Sequence, residues 1–406
     1  MKWVSHLSTR PSLEAALQEI ADAIGPELAA SADLGLLFVS AMFTSEYPRV
    51  MPLLQEYLKI PVIVGCGGGG IIGGDPGATQ EVEDEPAIAL CLASLPGVEV
   101  KPFWIAEDQI PDLDSPPQAW IDCVGVDPAD QPCFLVFSDP MAARINDLLQ
   151  GLDFAYPESP KVGGLASGAT TRGGNTLFFN DRARTGGTVG VALSGNIELR
   201  TIVAQGCRPI GPVFRVTEGE RNILLQVEYE DQPDQKALAP LEALQAVVAD
   251  LDDRERELAQ NSLFVGIAHS EFQAELEPGD FLVRNLLGVD PRIGAMAIGD
   301  RVRPGRRVQF HLRDAATSAE DLEALLQRYQ KRPQNLNPSG AVLFSCLGRG
   351  INLYEQPNFD SQLFHQQLGH VPLTGFFCNG EIGPIGGSTY LHGYTSVFGI
   401  FYQTQA

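Results

Sequence analysis

Apolar residues along this chain fall into two alternating patterns. Short runs with no polar break (residues 36–40, 134–138 and 342–345) predict fully buried strands. Between them, apolar residues recur at helical spacing. Leu13, Leu17, Ile20 and Ile24 follow Ser12, a good N-cap. Residues 48–58 suit a helix with Pro48 near its start. Residues 142–152 place Ile145, Leu148, Leu149 and Leu152 on one face. Residues 318–328 turn Leu322, Leu325 and Leu326 inward behind Ser318 as N-cap. Helices alternating with buried strands predict an α/β fold with parallel pairing.

The pattern repeats. Each buried strand ends near a serine (Ser40, Ser138, Ser345), a helical segment follows, and then a proline, a short strand and glycines. The three endings are Pro61-Val62-Ile63-Val64-Gly65-Cys66-Gly67-Gly68-Gly69-Gly70, Pro160-Lys161-Val162-Gly163-Gly164 and Pro372-Leu373-Thr374-Gly375-Phe376-Phe377-Cys378-Asn379-Gly380. Serine and proline are roughly two dozen residues apart each time, the mark of an internal repeat. Glycine there predicts sharp turns or close approach of another group.

Elsewhere the reading is of mixed sheets. Residues 86–95 and 98–105 predict two strands paired with each other, and 176–179 with 188–193 a hairpin. Residues 81–85, almost wholly acidic, read as a solvated loop. Residues 207–217 are extended, because Pro209 and Pro212 exclude a helix. A strand at 222–228 follows. The polar stretch 231–235, holding Pro233, marks a domain boundary. Beyond a helix at 239–248, strands at 263–268, 280–286, 295–298 and 307–312 form an antiparallel set, and 390–402 a closing strand pair. The expected organisation is a helical lead-in at 1–30, one domain at 31–233 and a second at 234–406. Both domains are built on the strand–helix–strand–glycine unit, each a mixed sheet flanked by helices.

Length supports more than one core: 406 residues exceed what a single core usually serves. The net charge of −23 argues against unaided binding to nucleic acid or an anionic membrane. No signal peptide and no apolar run long enough to span a bilayer is visible. The cysteine count is odd, seven with no CxxC pair, which predicts reduced thiols in a cytoplasmic protein.

Motifs narrow the chemistry. Gly65-Cys66-Gly67-Gly68-Gly69-Gly70 matches GxGxxG after a strand, but Gly73-Gly74-Asp75-Pro76-Gly77 follows, so no helix can meet a pyrophosphate. P-loop, zinc-ligand and GxSxG patterns are absent, and no cofactor is expected. Cys66 and Cys378 read as equivalent thiols at strand-to-glycine turns, either buried hydrophobes or thiolates favoured by backbone N–H groups. Arg349, between Gly348 and Gly350, either swings to a ligand carboxylate or pairs internally with Glu381.

The closing segments carry a resemblance. Phe376-Phe377-Cys378-Asn379-Gly380-Glu381-Ile382-Gly383-Pro384-Ile385-Gly386-Gly387 with Leu391-His392-Gly393-Tyr394-Thr395-Ser396 resembles the end signature of the FIST family (F-box and intracellular signal transduction proteins). Gly206-Cys207-Arg208-Pro209-Ile210-Gly211-Pro212 resembles the end of that family's N-terminal domain. Residues 300–314 resemble the middle of its C-terminal domain. The likeness runs from about Ala32 to Thr395. It implies a sensory module binding a small ligand, such as an amino acid. With no F-box or output domain in view, a separate signalling protein is the expected partner.

Three functions stay open. In the leading one, a small carboxylate sits where the glycine turns meet, between the domains. Gly67, Gly68, Gly69 and Gly70 beside Cys66, together with Arg349, hold its acidic end. Asn379 and Glu381, next to Cys378, and His392 hold its polar end. The second is a protein-binding scaffold. The third is a cysteine-dependent enzyme with His392 as base.

Overall fold

Three stretches of the chain run through one order of elements: outer strand, helix, central strand, helix, parallel strand, hairpin, return strand. The computed structural model describes residues 1–404 apart from 142–143, 172, 233–235, 270–275, 277–278 and 332–335. Repeat one comprises β1 (Lys2–Ser8), α1 (Leu13–Leu28), β2 (Leu34–Ser40), α2 (Tyr47–Tyr57), β3 (Ile63–Gly68), β4 (Gly70–Gly73), β5 (Gln80–Glu83) and β6 (Ile88–Ser94). Repeat two comprises β7 (Val98–Ile105), α3 (Pro117–Val124), β8 (Cys133–Ser138), α4 (Ile145–Ala155), β9 (Lys161–Leu165), β10 (Leu177–Phe179), β11 (Arg182–Arg184) and β12 (Thr188–Gly195). Repeat three opens with β13 (Ile197–Ala204) and is then interrupted.

The interruption holds β14 (Arg208–Glu220), β15 (Ile223–Tyr229), α5 (Pro240–Ala249), α6 (Asp253–Ala259), β16 (Leu263–Ala268), β17 (Phe281–Asp290), β18 (Ala295–Ile298) and β19 (Arg307–Leu312). These strands close a barrel in the order β14-β15-β18-β17-β16-β19. Repeat three resumes with α7 (Ala315–Gln330), β20 (Pro338–Cys346), α8 (Ile351–Tyr354), α9 (Phe359–Leu368), β21 (Leu373–Cys378), β22 (Glu381–Ile385), β23 (Ser388–His392) and β24 (Ser396–Gln403). By contacts the chain divides into two units, Met1–Val203 with Glu323–Ala406, and Ala204–Leu322. Of the stretch read as a boundary from the sequence, residues 233–235 lie outside the described residues.

Each repeat builds one mixed sheet and lends its hairpin to another. The three orders are β1-β6-β2-β3-β10-β11, β7-β12-β8-β9-β22-β23 and β13-β24-β20-β21-β4-β5. The expected parallel pairs are present: β2 with β3, β8 with β9 and β20 with β21. Repeat one therefore gives its hairpin to repeat three, repeat three to repeat two, and repeat two to repeat one. The equivalence reaches single residues. Gly65, Gly163 and Gly375 lie opposite Leu37, Val136 and Leu343, and at each a Cβ would overlap the facing carbonyl oxygen. Only glycine fits there.

The repeats meet in one apolar core. Phe38, Phe137 and Phe344, at matching positions of the central strands, lie with ring centroids 5.5, 5.6 and 6.4 Å apart. Phe376 stacks on Phe38 at 5.1 Å. Edge-to-face packing of this kind adds to the burial of the rings. Helices α1 and α2 cover the other side of the first sheet through Leu13, Leu17, Ile20, Ile24, Val50 and Leu54, and α3 and α4 cover the second with Trp120, Leu148 and Leu152. The barrel has its own core around Phe214, Val265, Met296 and Phe310.

Several pairings differ from the sequence reading. β6 lies between β1 and β2, whereas β7 pairs with β12. β10 pairs with β11 and β3, and β12 returns to β8 and β7. β23 pairs with β22, and β24 with β20. Lys2–Ser8, inside the stretch expected as a helical lead-in, is a strand. The helix expected at 142–152 runs Ile145–Ala155, and residues 142–143 lie outside the described residues. α7 starts at Ala315, capped by Asp314, whose carboxylate accepts from Thr317 N at 2.7 Å. Ser318 lies inside the helix and donates to the Gly206 carbonyl.

Candidate functional site

The glycine runs are strands, not loops. β3 continues to Gly68 beside Ser40, and Gly70 already belongs to β4, opposite Glu83. Both glycine-rich stretches lie in the same compact unit. Their ends are tied together by repeat two. Ser167 Oγ accepts from Gly69 N at 2.8 Å and donates to the Phe377 carbonyl, and Ser167 N donates to Gly67 O at 3.1 Å. Asn379 N donates to Leu165 O, and Leu347 N to Cys378 O. Gly67 N donates to the Thr176 carbonyl at 2.9 Å. The N–H groups of Gly67 and Gly69 thus have partners within the fold.

Register places the two thiols at different positions of the repeat. Cys66 faces Phe38, whereas Phe376, not Cys378, faces Phe344. Ser138 and Ser345 match, but Ser40 stands one residue further on, because Val39 follows Phe38. Cys66 and Cys378 are fully buried, and burial pushes both thiols well above their usual range. That is the reverse of what favours a thiolate. His392 is buried, with Nε2 at 3.0 Å from the Gly383 carbonyl oxygen. Asn379 is exposed, and Gly68 and Gly70 are buried.

Arg349 is fully buried, and its guanidinium grips Asp360 through two nitrogens at 2.9 and 3.0 Å. It also donates to the Tyr354 hydroxyl, and Asp360 accepts from Ser345 and Ser396. Burial opposes ionisation of Asp360, but Arg349 beside it holds the carboxyl below its usual range. Glu381 is buried and accepts from Thr395 N at 3.0 Å.

The acidic stretch read as a solvated loop forms β5 and is partly interior. Glu81 is buried and accepts from Ser361 N in the first turn of α9 at 2.6 Å. Glu83 accepts from Ile351 N at 2.9 Å. Burial, and then the nearby charge of Asp360, push the Glu81 carboxyl well up. The sequence signal was the one-residue gap: Glu81 and Glu83 share a strand face. Nothing local marked Ser361 as a partner 280 positions away.

A pocket of about 480 Å3 opens where α2 meets the hairpin received from repeat two. Thr44, Tyr47 and Pro48 line one side and Thr176, Asp181 and Arg182 the other. It lies one residue layer from Gly67, since a Cβ at 67 would strike the Tyr47 ring and Gly67 N bonds Thr176. The Tyr47 hydroxyl donates to the Val39 carbonyl, which fixes the ring. Arg182 and Asp181 stand 3.6 Å apart and are largely exposed. The arrangement offers a guanidinium, a carboxylate, hydroxyls and an apolar wall, and ligand sites commonly span about 300–1,000 Å3. None of these lining residues was read from the sequence as a site residue. A larger hollow, about 630 Å3, follows the exposed side of α1 past His6 and Arg10, where Arg10 pairs with Glu19 at 2.8 Å. Among the described residues no group of His, Cys, Asp and Glu could hold a metal ion, and no helix is long and apolar enough to cross a membrane.

Comparison with known proteins gives two family matches, the FIST N domain at residues 33–230 and the FIST C domain at residues 240–384. An uncharacterized protein of Mycobacterium tuberculosis (strain H37Rv) is 34% identical over 396 residues, 97% of this chain and 98% of its own length. One of Mycobacterium bovis is 34% identical over 394 residues, 97% of each. Human F-box only protein 22 is 32% identical over 83 residues, 20% of this chain and 21% of that protein. Among solved structures, cyanuric acid hydrolase from A. caulinodans aligns over 100% of this chain and 99% of its own, at 10% identity and a TM-score of 0.35.

Proposed function

On the premise that this chain belongs to the FIST family, whose domains are sensory domains of signal transduction, we propose that it is a cytoplasmic sensor of an amino acid or similar small carboxylate. The observation that carries the reading is the pocket between α2 and the β10–β11 hairpin, with Asp181 and Arg182 side by side at its rim. A ligand carboxylate takes the Arg182 fork and an ammonium group takes Asp181. The ligand's side chain lies against Tyr47, Pro48 and Pro52. The pocket joins a helix of repeat one to a hairpin of repeat two, so a ligand held by both favours arrangements that keep the two together. A separate signalling protein carries the output.

The test is thermal unfolding in the presence of each amino acid and a set of small dicarboxylates, after any co-purified ligand has been removed by unfolding and refolding. A ligand at a hundred times its Kd stabilises the chain by about 2.7 kcal/mol. The expected result is a clear rise in Tm with at least one compound, lost in Arg182→Ala. A rise that survives Arg182→Ala undiminished places the ligand elsewhere, and no rise with any compound argues against a small-carboxylate sensor.

A further inference from the structure

The barrel of Ala204–Leu322 carries a surface unlike the rest of the chain. Residues 284–307 hold six arginines, two aspartates and no lysine or glutamate, in a chain of net charge −23. Arg284 pairs with Asp300 at 2.7 Å and the buried Arg307 with Glu230 at 3.5 Å, so the exposed arginines of the stretch are Arg292, Arg301 and Arg303, beside Asp290. The same stretch exposes large aliphatic side chains: Leu287 is 61% and Ile293 62% accessible. Val289 and, on β15, Ile223 are also exposed.

Strand pairing brings Ile223 beside the Leu287–Gly288 bulge through Ala297, while Val289, opposite the buried Met296, lies on the other face of the sheet. Ala297 on β18 faces Ile223 on one side and Gly288 on the other. Val289 faces Met296, and the chain turns back through Arg292 and Ile293, closed by Gly294 N donating to Asp290 O. Arg221 joins the same edge, since Val302 N donates to its carbonyl at 2.6 Å, and Arg301 and Arg303, both exposed, flank that contact. On the β14 side the exposed Glu220 faces Ile223, and the rest of the border is mainly arginine. Such a composition suits a protein-binding surface, in which apolar groups supply affinity and the charged border selects the partner. Exposed aliphatic side chains grouped in this way are not explained by solubility.

We infer that the β15–β18–β17 surface docks a protein segment that is acidic and bears leucine, isoleucine or phenylalanine side chains. Charge complementarity fixes the sign: the arginine border attracts carboxylates, while the acidic remainder of the chain repels them elsewhere. Nucleic acid fits less well. The centre offers aliphatic side chains rather than aromatic platforms for bases, and the net charge opposes a polyanion. The surface suits the separate output protein of the sensor reading, but it rests on its own observations and does not need the pocket to be filled.

The experiment is fluorescence anisotropy on the full chain, without added small ligand. The probes are a labelled peptide alternating Asp or Glu with Leu or Phe, the same peptide with every Leu and Phe replaced by Ser, and an oligothymidylate. The first peptide is expected to bind at low salt, at least about tenfold more tightly than either other probe. Leu287→Ser with Ile293→Ser should weaken it about tenfold, and so should Arg292→Glu with Arg301→Glu. All four positions are exposed, so thermal unfolding should be unchanged. If the aliphatic pair unfolds the barrel, the arginine pair alone decides. Equal binding of the serine peptide, tighter binding of the oligonucleotide, or no binding at millimolar peptide overturns the proposal. So does sedimentation showing a dimer that Ile293→Ser dissolves, since the surface would then belong to a second copy.

Discussion

The β4–β5 and β10–β11 hairpins are the same element of the repeat, lent across to a different sheet, and they are used in opposite ways. β4–β5 drives Glu81 into the interior, where it meets α9 through Ser361 N, while Arg349 and Asp360 lie buried in the repeat that receives the hairpin. β10–β11 turns Asp181 and Arg182 outwards over a pocket. The first hairpin is fastened by a buried carboxyl group, and the second turns an exposed ion pair towards solvent. The lesson is that polar residues set among glycines mark the fastening, and the pocket is written in plainer residues.

The comparison breaks most visibly at Arg349. Arg349→Met should cost about 3–5 kcal/mol, because it leaves the Asp360 carboxylate buried without its cation. Urea unfolding measures this, and a loss below about 1 kcal/mol would mean that the ion pair does not fasten the third repeat. Next come the matched glycines. Gly65→Ala, Gly163→Ala and Gly375→Ala should each cost about 1–3 kcal/mol or more, because the clash is with strand backbone that cannot step aside. Three similar losses support the equivalence of the repeats, and one tolerated substitution removes that repeat from the scheme.

A smaller effect concerns Glu81. Its folded-state pKa is raised, so the folded chain holds a proton that the unfolded chain has released. Stability from this group is present at low pH and is lost as pH rises above the ordinary carboxylate range, by up to about 1.4 kcal/mol per pH unit. Glu81→Gln keeps the acceptor for Ser361 N and should flatten that part of the profile relative to the native chain. Parallel profiles would show that Glu81 titrates normally. Smallest is Arg182→Ala, which should change stability by no more than about 0.5 kcal/mol, as an exposed side chain in a weak surface pair.

The repeat was legible because its signals are local. Wholly apolar strands such as Leu34–Ser40, helical spacing such as Leu13 to Ile24, and glycine at the parallel strand all speak for themselves. Pairing was not legible where the hairpins change sheets. Nothing in residues 177–184 says that they belong beside Cys66 rather than beside residue 188. The acidic β5 misled for a similar reason. Composition reports the usual fate of glutamate, whereas the fate of Glu81 is set by Ser361, 280 positions later. Glycine drew attention to Cys66, Arg349 and Cys378, but those side chains are buried. Ala183 and Thr185 flank a pocket that arises only when two repeats are brought together.

The most direct test is a calorimetric titration of the compound that most raises the Tm, run against the native chain, Arg182→Ala and Asn379→Ala side by side. The expected result is a loss of at least about tenfold in affinity for Arg182→Ala and native affinity for Asn379→Ala. Native affinity in Arg182→Ala with a loss in Asn379→Ala would put the ligand at the glycine strand ends and contradict the Arg182 site.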